Sequence, residues 1–177
     1  GLLHGLGFAG ALAEVGLPQN AIPLALLFFN VGVELGQLMF IVAMLADDPL
    51  GGTRERIEDP LPQSYFTAFE RLTRDPNIVL VVAEDGEGAV VGCLQLCILP
   101  GLSSQGASRG LIEDVRVASH CRSRGIGEQL VQWAVEEARA KGCKLVELLT
   151  HHTRVDAQRF YERLGFARSH VGMTMRF

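Results

Sequence analysis

Basic residues are absent from the start of this chain of 177 residues, since all 16 Lys and Arg residues lie at or after Arg54. The 20 acidic residues give a net charge of −4, which argues against a broad nucleic-acid-binding face. Cysteine is scarce too, and the four cysteines form no C-x-x-C pair, which argues against a disulfide scaffold or a zinc ribbon and favours a reducing compartment. The chain begins in apolar sequence at Gly1, without a basic segment or an A-x-A site. This indicates a fragment or a fusion rather than a secretory signal peptide.

The remaining composition divides the chain into two parts. Residues 1–45 carry only two charges, Glu14 and Glu34, whereas residues 46–177 have the composition of an ordinary soluble domain. The hydrophobic content of 48% beside 20% charged residues is an average over these two parts. Because the length falls short of two average domains, we expect one domain at 46–177 and an apolar helical segment at 1–45.

Residues 23–45 are long enough to cross a bilayer, which takes about 20 mostly apolar residues. On a helix, Asn30, Glu34 and Gln37 would share one face. Two interpretations therefore stay open. One is a membrane-spanning helix whose polar face contacts other helices. The other is an amphipathic core helix of a soluble domain whose polar face is exposed to solvent.

After residue 46, the sequence pattern predicts a mixed α/β sheet. Apolar residues recur at helical spacing between Ile126 and Ala138, and strand-like runs are bounded by turn residues. Ser64 and Asp156 are the predicted N-caps, and Gly142 is the predicted stop of the long helix. The predicted helices are 64–73, 126–141 and 156–164, and the predicted strands are 77–83, 89–99, 111–117, 144–150 and 171–177.

The motif R-S-R-G-I-G at 122–127 follows a predicted strand and opens a predicted helix. Glycines at such a turn let backbone N–H groups converge at the positive end of the helix dipole, which makes an anion site suited to a diphosphate. Arg122 and Arg124 add charge for a further phosphate. The motif is neither a dinucleotide-binding fingerprint, because Leu130 replaces the third glycine, nor a P-loop. A glycine turn that serves only tight packing is the alternative.

The runs L-I-E-D-V-R-V at 111–117, R-x-x-G-x-G at 122–127 and D-A-Q-R-F-Y-E-R-L-G-F at 156–166 together resemble the GNAT superfamily of N-acetyltransferases. The resemblance covers roughly residues 41–177. It implies a mixed α/β fold whose splayed central sheet is flanked by helices, with acetyl-CoA inserted between two parting parallel strands. Members of this family begin with a strand ahead of the first helix, and no such strand is visible in this sequence.

The same resemblance implies roles for individual residues. Tyr161 matches the position of a general acid that protonates the departing thiolate. A β-bulge on strand 111–117 is where the family supplies a donor to the oxyanion. The residues implied in cofactor binding are Val115, Arg116 and Val117 for the pantetheine arm, Arg124, Gly125, Ile126, Gly127 and Glu128, with Arg122 beside them, for the phosphates, and Asp156 for a further contact with the cofactor arm.

A thioester is already activated, so a neutral amine held against it attacks directly once a base has taken its proton. Glu113 is the predicted base, because strand alternation places it on the same face as Val115 and Val117, and Glu147 is a weaker candidate. The alternatives are a salt-bridging surface carboxylate for Glu113 and a core tyrosine bonded to backbone for Tyr161.

Other polar groups fit less specific roles. His151 and His152 lack a third ligand nearby, so we expect them to face solvent or the acceptor, and no metal site is predicted. The acidic pairs at 47–48 and 58–59 either select a cationic amine, as acceptor loops of the family would, or are helix caps and solvated charge. Cys93 and Cys97 share a strand face and are expected to be small core residues.

The first part of the chain carries a second resemblance. The runs GLLHGLGFAGALAEVGLP and IPLALLFFNVGVELGQLMFIVAML are similar to the C-terminal helices of HupE/UreJ-type membrane proteins, a family associated with nickel or cobalt permeation. This makes His4 and Glu34 candidate intramembrane polar groups. One or two helices do not enclose an ion path, so this segment alone is not a transporter.

We therefore predict an N-acetyltransferase that transfers the acetyl group of acetyl-CoA to the primary amine of a small molecule by direct attack. The alternative is a membrane transport-related protein with a non-catalytic acyl-CoA-binding or regulatory domain. The predicted partner is the small-molecule amine and not nucleic acid, with a homodimer and a membrane contact through residues 1–45 as open options. The predicted location is the cytoplasm, with membrane association through the same segment left open.

Overall fold

The computed structural model describes residues 36–47 and 52–175, and within them a mixed α/β fold is confirmed. Four helices of nine or more residues and four strands form the described part. In chain order they are α1 (36–46), α2 (Gln63–Arg74), β1 (Ile78–Glu84), β2 (Val90–Leu99), β3 (Arg109–Val117), α3 (Ile126–Ala140), β4 (Leu145–Leu148) and α4 (Val155–Arg163).

The four strands form one sheet in the order β1-β2-β3-β4. The pairs β1/β2 and β2/β3 are antiparallel, whereas β3 and β4 are parallel. The parallel pairing ends where Ile112 lies opposite Leu148, although β3 continues to Val117. The two parallel strands are therefore paired at one end and unpaired at the other.

Helices cover both faces of this sheet. On one face, α3 and α4 pack over the apolar residues of β2 and β3, with Leu94 and Leu96 fully buried. The buried residues of α3 are Leu130, Val131, Ala134 and Ala138, which is the helical spacing that the sequence predicted. On the other face, α1 contacts β2 around Cys93, and α2 contacts α1.

Helix α1 is the described part of the apolar stretch at 23–45. Four of its residues are buried against the sheet and α2, while Met39 and Phe40 are half-exposed. Residues 36–46 therefore form an amphipathic core helix. Asn30, Glu34 and the rest of the permease-like segment lie outside the described residues. Nowhere in 36–47 or 52–175 is there a helix with the length and apolarity needed to cross a bilayer.

Two predictions about the starts of helices and one about a strand are wrong. Helix α2 begins at Gln63 with Pro62 at its N-cap, because proline already has the backbone angle for helix entry, and Ser64 lies inside the first turn. Helix α4 begins at Val155 with Arg154 at its N-cap, so Asp156 is also inside the first turn. The predicted last strand does not form over 171–175, since alternating apolar residues do not make a strand without a neighbour to pair with.

Candidate functional site

A β-bulge interrupts β3 at the point where its pairing with β4 has ended. Two residues of β3, Asp114 and Val115, lie opposite the single residue Leu94 of β2, because the register shifts here. Asp114 has a φ of 50°, a left-handed conformation that aspartate tolerates better than most residues. The bulge that the resemblance implied is therefore present, and it twists β3 away from β4.

The bulge also inverts the alternation of side chains along β3. Glu113 and Arg116 lie opposite neighbouring residues on one face of β2, and so share that face. Val115 packs into the core beneath α3, and Val117 lies within 3.5 Å of where a Cβ on Gly127 would be. The expectation that Glu113 shares a face with Val115 and Val117 is therefore wrong, because simple alternation holds only in an unbulged strand.

A cavity of about 410 Å³ opens between the parted strands. Both strands, α4 and the loop before α2 contribute to its wall, so residues far apart in the sequence meet there. The cavity is lined by Thr53, Arg54, Leu111, Ile112, Glu113, Asp114, Val115, Arg116, Leu148, Leu149, Thr150, His151, Arg154, Ala157 and Tyr161. Both predicted catalytic residues, Glu113 and Tyr161, thus line one cavity.

Tyr161 lies on α4, where its ring packs edge-on against Phe160 and Phe166 with centroids 5.1 and 6.0 Å away. Burial raises the pKa of its hydroxyl above 10.0, and the charges of Arg116 and Arg154 oppose that rise. Within the described residues, no protein group forms a hydrogen bond with this hydroxyl. A core tyrosine bonded to backbone, the alternative from the sequence, is therefore not what the structure shows.

Glu113 is exposed at the cavity wall and accepts a hydrogen bond from Nε2 of Gln95 at 3.3 Å. The Sγ of Cys97 lies 3.8 Å from the same carboxylate oxygen. These two neighbours hold the carboxylate at the cavity wall, and neither of them is a cation. Glu147, the weaker candidate, instead forms an ion pair with Arg109 at 2.7 Å and does not line the cavity.

The turn before α3 has the geometry of an anion site. Ser123 and Gly125 have φ angles of 62° and 81°, and this left-handed turn brings the chain into the first turn of α3. The first N–H groups of a helix have no acceptor within the helix, and the first bond that closes this turn runs from the Gln129 amide to the Gly125 carbonyl at 3.0 Å. The predicted phosphate-binding amides, from Arg124 to Glu128, therefore lie at an open helix N-terminus.

Two residues, Arg122 and Asp156, were predicted to bind the cofactor through their side chains, and both side chains contact other protein groups instead. Arg122 points to Asp47 near the end of α1, with Nη2 3.5 Å from Oδ2, and its Nε donates to the Val117 carbonyl at 3.3 Å. Asp156 has a fully exposed side chain 3.8 Å from Arg159 and does not line the cavity. The structure therefore brings the backbone groups of the predicted site together, but not the Asp156 side chain.

Sequence reasoning missed two cavity-lining cations. Arg54 comes from the loop before α2 and Arg154 from the N-cap of α4, and neither lies in a motif. His151 does line the cavity, as expected for an acceptor-facing histidine, whereas the pair at 58–59 lies in an exposed loop. In the part of the chain that the structure describes, no three His, Cys, Asp or Glu side chains cluster as metal ligands would.

Comparisons with known proteins match this geometry. Residues 42–166 match the family described as acetyltransferase (GNAT), and residues 1–50 match the one described as HupE / UreJ protein. A crystal structure of a transcriptional regulator from Bacillus halodurans superposes with a TM-score of 0.78 at 51% identity, covering 80% of this chain and 94% of that one.

Two enzymes are similar in sequence. The aminoalkylphosphonate N-acetyltransferase of Salmonella typhimurium is 38% identical over 112 residues, which are 63% of this chain and 71% of that enzyme. The glucosamine 6-phosphate N-acetyltransferase of Trypanosoma brucei brucei is 36% identical over 108 residues, covering 60% and 71%. With the parted strands, the bulge and the open helix N-terminus, these matches show that the chain belongs to the acetyltransferase (GNAT) family and is an N-acetyltransferase that uses acetyl-CoA.

Proposed function

We propose that this N-acetyltransferase binds acetyl-CoA between β3 and β4, where a small primary amine attacks the thioester directly. The observation that carries the proposal is that β3 continues to Val117 after its pairing with β4 has ended at Ile112. An unpaired strand edge offers backbone donors and acceptors that an extended amide-containing arm can pair with.

The cofactor arm and its phosphates then occupy neighbouring positions. The backbone of residues 115–117 pairs with the pantetheine amides, and the N–H groups of residues 124–128 hold the diphosphate at the N-terminus of α3. Arg122 and Arg124 add positive charge beside it, although Arg122 also contacts Asp47 in the structure described here. We retain Asp156 only as a weaker candidate, since its side chain points into solvent.

Each chemical step has a group in the cavity to perform it. Glu113, directly or through water, takes a proton from the ammonium group of the acceptor, and the free amine attacks the thioester carbonyl. A backbone N–H at the bulge stabilises the oxyanion. The C–S bond of the intermediate then breaks, and Tyr161 donates its proton to the leaving thiolate. The nitrogen loses its second proton, which returns through water to the phenolate of Tyr161 and leaves the amide and free coenzyme A.

The acceptor that best fits this cavity is a small molecule. A volume of about 410 Å³ lies near the lower end of the range for small-molecule sites, and the wall carries both carboxylates and guanidinium groups. The similar enzymes from Salmonella and Trypanosoma are named for small amines, which supports the same substrate class here.

Isothermal titration of the full chain with acetyl-CoA tests the cofactor site. We expect binding, and we expect Gly125→Ala to weaken it about tenfold, because a left-handed alanine costs about 1–2 kcal/mol and the turn relaxes away from the phosphates. Gly142→Ala is the matched control, since Gly142 has nearly the same φ, 79°, at the other end of α3. No binding at millimolar acetyl-CoA, or equal weakening by both variants, would contradict the proposal.

The location and assembly of the protein stay predictions. Free cysteines support a reducing compartment such as the cytoplasm, and the similarity of residues 1–50 to HupE / UreJ proteins supports membrane association through that segment. Carbonate-resistant sedimentation would support membrane association and the transport-related alternative. Light scattering would decide between a monomer and the proposed homodimer.

A further inference from the structure

We propose that the acceptor amine carries a phosphonate or a phosphate ester, and that Arg54, Arg116 and Arg154 bind this anionic group. The inference rests on the proposed function, because it assigns the acceptor of the same cavity. The three arginines come from the loop before α2, from β3 and from the N-cap of α4, and all line the cavity. Three separate segments thus bring positive charge to one site.

This concentration of positive charge is unlike the rest of the molecule. The chain has a net charge of −4, yet the cavity wall carries three arginines beside only two carboxylates, Glu113 and Asp114.

Arg116 is held without a carboxylate partner in the described part of the chain. Its Nη1 donates to the Val115 carbonyl at 2.9 Å, which fixes the guanidinium against β3. Its Nε is buried and has no hydrogen-bond partner there, which is costly for a charged group unless a ligand supplies an acceptor. The guanidinium is thus positioned by backbone while its charge stays available to a bound anion.

The charges are arranged for a molecule with opposite charges at its two ends. Glu113 and Asp114 can attract the ammonium group, while the arginines attract the anion. Arg116 and Arg154 both act on the hydroxyl of Tyr161, so the positive charge lies close to the reacting end of the cavity. The two carboxylates and the three arginines line one cavity, so one small molecule can reach both kinds of group.

The number of arginines favours a tetrahedral dianion over a carboxylate. One guanidinium can satisfy both oxygens of a carboxylate, whereas a phosphonate or phosphate ester offers three oxygens and nearly two charges. Three guanidinium groups around one cavity match the second kind of anion.

The test compares matched acceptors with the full chain and acetyl-CoA, following thiol release. We expect kcat/KM for 2-aminoethylphosphonate to exceed that for propylamine by about 100-fold, with β-alanine between them, because several charge-assisted hydrogen bonds depend on the anion. Arg54→Gln and Arg154→Gln should each reduce the preference for the phosphonate over propylamine about tenfold, a ratio in which any effect of Arg154 on Tyr161 cancels. Arg159→Gln, on the exposed side of α4, is the control and should change neither.

A second readout separates the acceptor site from the phosphates of the cofactor. Ethylphosphonate, which has no amine, should inhibit competitively against the amine and not against acetyl-CoA, and Arg154→Gln should weaken this inhibition about tenfold. Turnover of other amines without a preference for the phosphonate overturns the inference and leaves the proposed function standing. An unchanged preference for the phosphonate over propylamine in both Arg54→Gln and Arg154→Gln also overturns it, since these guanidinium groups would then not contact the acceptor. Absence of turnover with any amine overturns both.

Discussion

Tyr161 experiences burial and positive charge at the same hydroxyl, and the two act on its pKa in opposite directions. Burial disfavours the phenolate, whereas Arg116 and Arg154 favour it, and the net result is a pKa above 10.0. The hydroxyl therefore keeps its proton at neutral pH, which is the state that a general acid needs before the thiolate leaves.

Replacing Tyr161 by Phe removes this proton and leaves the packing of the ring. We expect kcat to fall about 100-fold, as for loss of a general acid, with the affinity for acetyl-CoA unchanged within about twofold. The measurement combines steady-state kinetics with titration of acetyl-CoA. Tyr65→Phe is the control for kcat, because Tyr65 is the second of only two tyrosines and does not line the cavity, although its hydroxyl bonds to Glu55 and Arg56 beside the cavity-lining Arg54. Equal losses in both variants would show that Tyr161 has no special role.

For single residues, local motifs predicted position better than the alternation of side chains along a strand did. Tyr161 lines the cavity, and it could be singled out because the motif that carries the family resemblance is local in sequence. The face of Glu113 was wrong because the bulge at Asp114 arises from pairing with β2, which alternation along one strand does not report. Arg54 and Arg154 gave no signal, because only the folded chain brings their segments to one cavity.

Helix α3 lies unusually close to the sheet at two glycines. A Cβ at Gly92 would lie 3.1 Å from carbons of both Ile126 and Leu130, and a Cβ at Gly110 would lie 3.0 Å from Cβ of Ala138. A methyl group at either glycine would push its neighbours by a few tenths of an ångström. At Gly110 the neighbour is the Cβ of Ala138, which moves only with the helix. The two glycines thus fix both ends of α3, including the end that the proposed phosphate site uses.

Gly110→Ala should lower the free energy of unfolding by about 1–3 kcal/mol through this contact, as measured by urea denaturation. Ala138→Gly alone should cost about 1 kcal/mol of helix propensity. In the double variant the effect of Gly110→Ala should largely vanish, because the opposing methyl group is gone. A double variant whose losses simply add would show that the contact is not the cause.

The spacing of apolar residues predicted an element well where one face of a long segment packs on the rest of the protein. The stripe on α3 met the sheet as expected, and its predicted bounds differ from the observed ones by a single residue. The run at 171–175 failed although it alternates, because Val171 and Met173 are 91% and 93% exposed and bury no face. A strand needs a partner edge, and that is a property of the fold rather than of the segment.

Cys93 lies between α1 and the sheet, so ionisation of its thiol changes the free energy of unfolding of the protein. Its side chain is fully buried, and burial raises the pKa of the thiol to about 12 from 9.0. The folded state then holds this proton more tightly than the unfolded chain, so stability is complete below pH 9 and is lost as the pH rises toward 12.

The free energy of unfolding should fall by about 1 kcal/mol between pH 8 and pH 10 from this thiol alone. Urea denaturation at the two pH values measures the fall. Cys93→Ala should be less stable at pH 8 but should show a smaller decline, because the titrating group is gone. A variant that declines as steeply as the parent protein would assign the effect to other groups.

Just before the change in composition near residue 45, the apolar residues of α1 are buried by protein, which hydropathy alone did not predict. Helix α1 is apolar enough to resemble membrane sequence, yet residues 36–46 pack on β2 and α2. Hydropathy reports the burial of a residue and not whether lipid or protein covers it, which is why the two interpretations could not be separated from sequence.

The bulge in β3 also tells a protein engineer where to change acceptor preference. Positions 113 and 116 present their side chains together on the face away from α3, whereas 115 and 117 are anchored beneath that helix. A library that varies position 116 and keeps Glu113, the proposed base, would therefore change acceptor selectivity while preserving the scaffold. One that varies alternate positions from 113 onward would damage the packing it depends on.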